Sequence, residues 1–162
     1  MNPLDLTTLI GEWFGVGTMT IGPMQGVIQE YVRLETTDRA DCLSYVRHSR
    51  IVIAGQTALH NELGYMRPTD ISLLLSRGSY VILPWDASAG GYRQSAGSPD
   101  TRNMARKVIL AADGQMTWDA TMEVQQGGVW VPHAILTTFD PLSVRVSTDH
   151  TCDKAMDLSR PA

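Results

Sequence analysis

His133 lies in a run of β-branched and aromatic residues, Val129 to Phe139 (VWVPHAILTTF), that otherwise reads as a buried strand. It shares alternation parity with Val131, Ile135 and Thr137, while Trp130, Pro132, Ala134 and Leu136 point the other way. Both faces are largely apolar, so the imidazole enters a low-dielectric region and is expected to be neutral, since burial disfavours the charged form. Neutral imidazole is the form that ligates a metal. A bare ion takes three or four ligands, which one histidine cannot supply. Haem iron needs only an axial one, because the porphyrin provides four nitrogens. The residue types leave two readings open: a metal ligand, or a core histidine hydrogen-bonded to a hydroxyl, as buried polar groups usually are.

A second concentration of functional groups falls in Leu59 to Pro68 (LHNELGYMRP). On a strand His60 and Glu62 share one face, and Tyr65 and Arg67 take the other. Such residues make ordinary cross-strand pairs; if His60 and Glu62 both line a pocket they form an acid–base pair. His48, between Arg47 and Arg50, reads as a surface residue, and His150 sits in a polar tail. The segment GEWFGVG is not a phosphate loop, and there is no GxSxG, HExxH or zinc-type Cys/His spacing. Cys42 and Cys152 are far apart and match no CxxC pattern, so they are expected to be unpaired thiols.

The elements that must position these groups are strands. At 162 residues and 43% hydrophobic, the chain has the size of one domain with a substantial core, expected as a barrel over about 9–146 and a polar tail over about 147–162. A net charge of −4 with no Lys/Arg cluster offers no footprint for nucleic acid or an anionic membrane. No apolar run approaches the ~20 residues that span a bilayer, and residues 1–12 lack a basic leader, so a cytoplasmic protein is expected. Asp5 caps one short helical turn over Leu6 to Ile10, a lid or plug. Gly11 to Ile21 then alternates, with Gly11, Trp13, Gly15 and Gly17 on one parity, glycines that permit close approach in a bending strand.

Further strands are expected at Val27 to Glu35, Cys42 to Ala54, Ala58 to Pro68, Ile71 to Leu75, Ser79 to Trp85, Met104 to Leu110 and Gln115 to Val124, with a last one at Leu142 to Val146. Glu30 and Tyr31 spoil the alternation of the first of these, and Pro132 is expected to interrupt its strand or mark an edge. Asp86 to Asn103 is rich in Gly, Ser and Ala: an exposed loop, or one that folds over a ligand opening through Tyr92 and Arg93. An open sheet of eight to ten strands would expose an apolar face and two edges. Closure into an all-β antiparallel barrel of about ten strands is the simplest solution, and such a barrel can hold one small ligand.

Three anchors then line up in order: GxWxGxG over Gly11 to Gly17, LHxExGYxRP over Leu59 to Pro68, and VPH at Val131 to His133. In order and approximate spacing the chain resembles the nitrobindin family, haem-binding β-barrels related to fatty-acid-binding proteins. The resemblance implies a ten-stranded, calycin-like up-and-down barrel holding ferric haem b near its mouth. It implies His133 as the metal ligand, His60 near the haem pocket and Met122 lining the cavity one strand earlier. The family's Thr-Ile falls, several residues early, on Thr20 and Ile21, which makes Thr20 a further cofactor-binding candidate. Family members bind nitric oxide and are credited with isomerising peroxynitrite to nitrate. The alternative from the same barrel class is a carrier of a fatty acid or another small apolar molecule, with Arg67 or Arg33 meeting a carboxylate.

Overall fold

The computed structural model describes residues 5–142 apart from positions 77 and 96. Ten strands follow one short 3-10 turn (Leu6–Leu9): β1 (Gly11–Ile21), β2 (Met24–Thr36), β3 (Leu43–Ile53), β4 (Gln56–Met66), β5 (Asp70–Leu75), β6 (Tyr80–Asp86), β7 (Gly91–Arg93), β8 (Thr101–Leu110), β9 (Met116–Gln126) and β10 (Val129–Pro141). Each pairs antiparallel with its chain neighbours, and β10 returns to β1, so the sheet closes as an up-and-down barrel without an edge. The expected strand over 142–146 lies outside the described residues save Leu142, whose N–H donates to the Glu12 carbonyl at 2.9 Å. The expected tail over 147–162 lies outside them as well.

Gly15 and Gly17 of β1 lie on the inward parity, where β10 closes on them. A Cβ at Gly15 would stand 2.7 Å from both the Thr138 carbonyl oxygen and the Phe139 ring on β10. Gly15→Ala is therefore expected to lower stability by ~1–3 kcal/mol through overpacking, read as a fall in the urea midpoint. At the start of β1 the 3-10 turn buries Leu6 and Leu9, and the Trp13 indole N–H donates to the Leu9 carbonyl at 2.9 Å. Asp5 caps the turn by accepting from Thr7 N–H at 3.0 Å. This turn plugs one end of the barrel over an apolar layer that includes Leu34, Met66, Ile71, Leu83 and Phe139.

Three local readings of the sequence change. In β2 Glu30 keeps the inward parity of Ile28, Val32 and Leu34 and is buried, while Tyr31 points outward and is covered there by His48, so the strand is regular although both faces are buried at that point. Pro132 does not interrupt β10: the strand extends past the end of β1, and the Pro132 carbonyl accepts from Gly22 N–H at 2.8 Å in the hairpin turn. The missing N–H thus falls on a local edge where no donor is required. Within 86–103, Gly91–Arg93 form β7. Tyr92 is buried, its hydroxyl donates to the Arg67 carbonyl at 3.0 Å, and its ring meets Trp85 edge-on at 5.1 Å. That anchor lies at the end where β4 finishes, away from the cavity described next. It covers no ligand opening there.

Candidate functional site

At the end of the barrel where β1, β3 and β9 finish, the interior is hollow. The cavity measures about 290 Å³ and is walled by Met19, Ile21, Ile28, Ile51, Ile53, Leu75, Val124 and Ile135, with Ser49, Thr101 and Gln126 as polar interruptions. His133, Met122, His60 and Ser76 also line it. His133 is only 5% exposed and stands directly between Met122 on β9 and Ile21 on β1 in the strand register. Its Nε2 lies 3.4 Å from the Gln126 carboxamide nitrogen. Three of the four candidates drawn from the sequence, His133, His60 and Met122, therefore meet at one cavity.

Thr20 does not line this cavity. It has the opposite parity to Met19 and Ile21 and lines a second, more open depression with Thr121, Glu123, Pro132 and Ala134, which Met122 and His133 also reach. Neither arginine considered for a ligand carboxylate lines the cavity. Arg33 pairs with Glu35 on the outer surface, and Arg67 pairs with Asp70 at 2.9 Å near the opposite end. His48 stacks on Tyr31 and bonds Asn61 at 2.8 Å on the barrel's outer side. Among the described residues no three His, Cys, Asp or Glu side chains converge to hold a bare metal ion.

Beneath the cavity lies a layer of charge. Arg47 donates through Nε to Glu30 at 2.7 Å, makes a second, shorter contact to the same carboxylate, and reaches both Glu62 oxygens at 3.4 Å. Arg106 donates to Glu62 Oε1 at 2.5 Å and to the Tyr45 hydroxyl at 3.2 Å, while Tyr45 donates to Glu62 Oε2 at 2.8 Å. Ser49 adds a bond to Glu30 at 2.8 Å. Two arginines and two glutamates thus neutralise one another inside the sheet, as buried charges must. Burial alone pushes the Glu62 carboxyl up, but Arg106 and Arg47 outweigh it and hold Glu62 well below the usual carboxylate range. Burial and the Glu62 charge raise the Tyr45 phenol far above its ordinary value, so it stays a donor.

His60 connects this layer to the cavity. Its Nε2 is 3.0 Å from Glu62 Oε1, and its Nδ1 is 2.9 Å from the Ser76 hydroxyl. Since Glu62 is ionised, Nε2 carries the proton and Nδ1 accepts from Ser76. His60 and Glu62 share a face as their parity requires, but Glu62 sits under the cavity floor rather than in its wall. The sequence reading missed Glu30, Arg47, Arg106 and Tyr45. A signal existed: acidic and basic residues occupy inward parity on β2, β3, β4 and β8, with signs that balance.

No family model matches the chain, and no curated protein matches it. In fold it is similar to the S-type phycobiliprotein lyase CPES from Guillardia theta, with a TM-score of 0.55 at 10% sequence identity over 84% of this chain and 89% of that one. At that identity the likeness concerns the barrel alone. No helix among the described residues is long and apolar enough to cross a membrane.

Proposed function

We propose that this barrel binds ferric haem b with His133 as its axial ligand, the role that the resemblance to nitrobindins implies. The observation that supports it best is the placement of a buried imidazole on the wall of an otherwise apolar cavity, flanked by Met122. The donor set fits haem rather than a bare ion: one imidazole not held by the charge layer, mostly apolar walls, and no converging group of three ligands among the described residues. Ligation draws on the His133 nitrogen that now faces Gln126, so the Gln126 carboxamide has to turn aside. Met19, Met122 and Ile135 keep water from that side of the imidazole. His60 is not a second axial ligand, because both of its ring nitrogens are engaged by Glu62 and Ser76. When bound, haem would supply an iron able to bind nitric oxide or peroxynitrite, and the protein would contribute His133 and a largely apolar pocket.

Titrating the full-length chain with hemin tests this reading. Wild type is expected to develop a Soret band, and His133→Ala to shift the band and weaken binding at least about tenfold, ~1.4 kcal/mol. Equal spectra and affinities for the two proteins would remove His133 as ligand. A second reading, a carrier of a small apolar molecule, is favoured by the size of the cavity. Its 290 Å³ lies at the lower end of the ~300–1,000 Å³ of ligand pockets. The fold likeness to a lyase named for phycobiliproteins adds open-chain tetrapyrroles to the ligands worth testing. Native mass spectrometry of freshly purified protein separates these, since a retained apolar molecule and no hemin uptake favour the carrier.

A further inference from the structure

We propose that Ser76, His60 and Glu62 form a proton relay that makes Ser76 a nucleophile toward carboxylic esters with an apolar acyl chain. Three side chains from strand β4 and the turn after β5 are linked in series: the Ser76 hydroxyl lies 2.9 Å from His60 Nδ1, and His60 Nε2 3.0 Å from Glu62 Oε1. Burial increases along it, from exposed Ser76 through half-buried His60 to Glu62 at 1%. An accessible nucleophile, an intermediate base and a buried acid is the order that nucleophilic catalysis uses.

The tautomer is fixed by the layer below. Glu62 is held as an anion by Arg106 at 2.5 Å, Arg47 and the Tyr45 hydroxyl, so it has no proton to offer and accepts the Nε2 hydrogen of His60. Nδ1 is left as the base, and its lone pair points at Ser76. Glu62 is thereby a positioning residue, acting through His60. Ser76 and His60 both line the cavity, whose walls beside them are Leu75, Ala58 and Ile51, so an acyl chain has an apolar place to lie while its carbonyl meets the hydroxyl.

In the reaction, Ser76 Oγ bonds to the carbonyl carbon as its proton passes to Nδ1. The ester C–O bond then breaks, and the leaving alcohol takes that proton. Water repeats the sequence on the acyl-Ser76: its proton goes to Nδ1, its oxygen bonds to the carbon, and the acyl–Oγ bond breaks. The acid leaves and the proton returns to Oγ. The relay draws no group from haem, but the acyl chain occupies the same cavity, so the test uses protein free of hemin.

General-base help of this kind contributes roughly 10²–10⁴-fold. The test is therefore covalent. The full-length chain is incubated with an alkyl fluorophosphonate and with the p-nitrophenyl ester of a medium-chain acid, and the adducts are located by peptide mass spectrometry. Modification at Ser76 is expected, absent in Ser76→Ala and slowed roughly 10²-fold or more in His60→Gln, with unchanged far-ultraviolet circular dichroism in both. Nitrogen-15 shifts of His60 in the unmodified protein are expected to show Nε2 protonated and Nδ1 bare, and the slowed labelling of folded His60→Gln is the readout that a purely structural contact would not move. No adduct on Ser76, labelling equally fast in His60→Gln, or a proton on Nδ1 would each overturn the proposal.

Discussion

Glu62→Gln is expected to destabilise the barrel by ~3–5 kcal/mol, the cost of removing one partner from a buried ion-pair network. The substitution keeps the shape, but its NH2 replaces one of two oxygens that both accept from donors, so the loss combines the missing charge with one mismatched contact. With Glu62 neutral, Arg47 keeps Glu30 but Arg106 loses the carboxylate it pairs with, in an interior where both guanidiniums are fully buried. The pH dependence carries a sign that distinguishes this from a packing defect. Glu62 is held well below its usual value of 4.5 in the folded state. Its contribution is therefore complete above about pH 4.5, where the unfolded chain also ionises it, and is lost as pH falls below that. Urea midpoints of wild type and Glu62→Gln are expected to differ most near neutrality and to converge in acid. A difference that stays constant from pH 7 to pH 3 would mean that charge is not what Glu62 contributes.

The same residue shows where sequence patterns carry and where they stop. Period-two alternation is a property of one strand, so it placed His60 with Glu62, set the β1 glycines on one face and put His133 with Val131, Ile135 and Thr137, but with both faces of that strand apolar it did not say which one turns inward. What a side chain meets across the barrel depends on register and closure, which alternation does not encode. Arg106 reaches Glu62 from 44 positions away, and its inward parity beside Met104 and Val108 looks like an error in a strand until the opposite wall is known. Glu30 appeared to break β2 for the same reason. Motif resemblance brought His133, His60 and Met122 to one cavity because those anchors sit on barrel walls near its mouth. Thr20, carried over beside the inward Ile21, takes the outward parity, and so it lines the neighbouring depression that Met122 and His133 also reach. Tyr92 was legible as an anchor but not as to which end it closes, since that follows from its partner, Arg67.

Trp118→Ala is expected to cost as much as any single substitution in the chain, ~3–5 kcal/mol. Trp118 is fully buried and is the shared floor of the two layers. Tyr45 stacks on it at 5.4 Å, Phe139 tilts against it at 6.3 Å, and the guanidinium carbons of Arg47 and Arg106 lie 5.7 and 5.6 Å from its ring. Two cations facing a desolvated indole gain from its quadrupole as well as from contact, by ~2 kcal/mol when buried. The vacated space would be lined by two guanidiniums, so it fills with water instead of staying dry, and water there competes for the hydrogen bonds that orient Glu62. Trp118→Phe separates these contributions. It keeps an aromatic face for both arginines and removes an indole N–H that meets no hydrogen-bond partner among the described residues. The loss of volume is then offset by the loss of an unsatisfied donor, and the stability cost by urea unfolding is expected to be under about half that of the alanine variant. If phenylalanine and alanine cost the same, the ring face contributes nothing and the charge layer stands on its ion pairs alone.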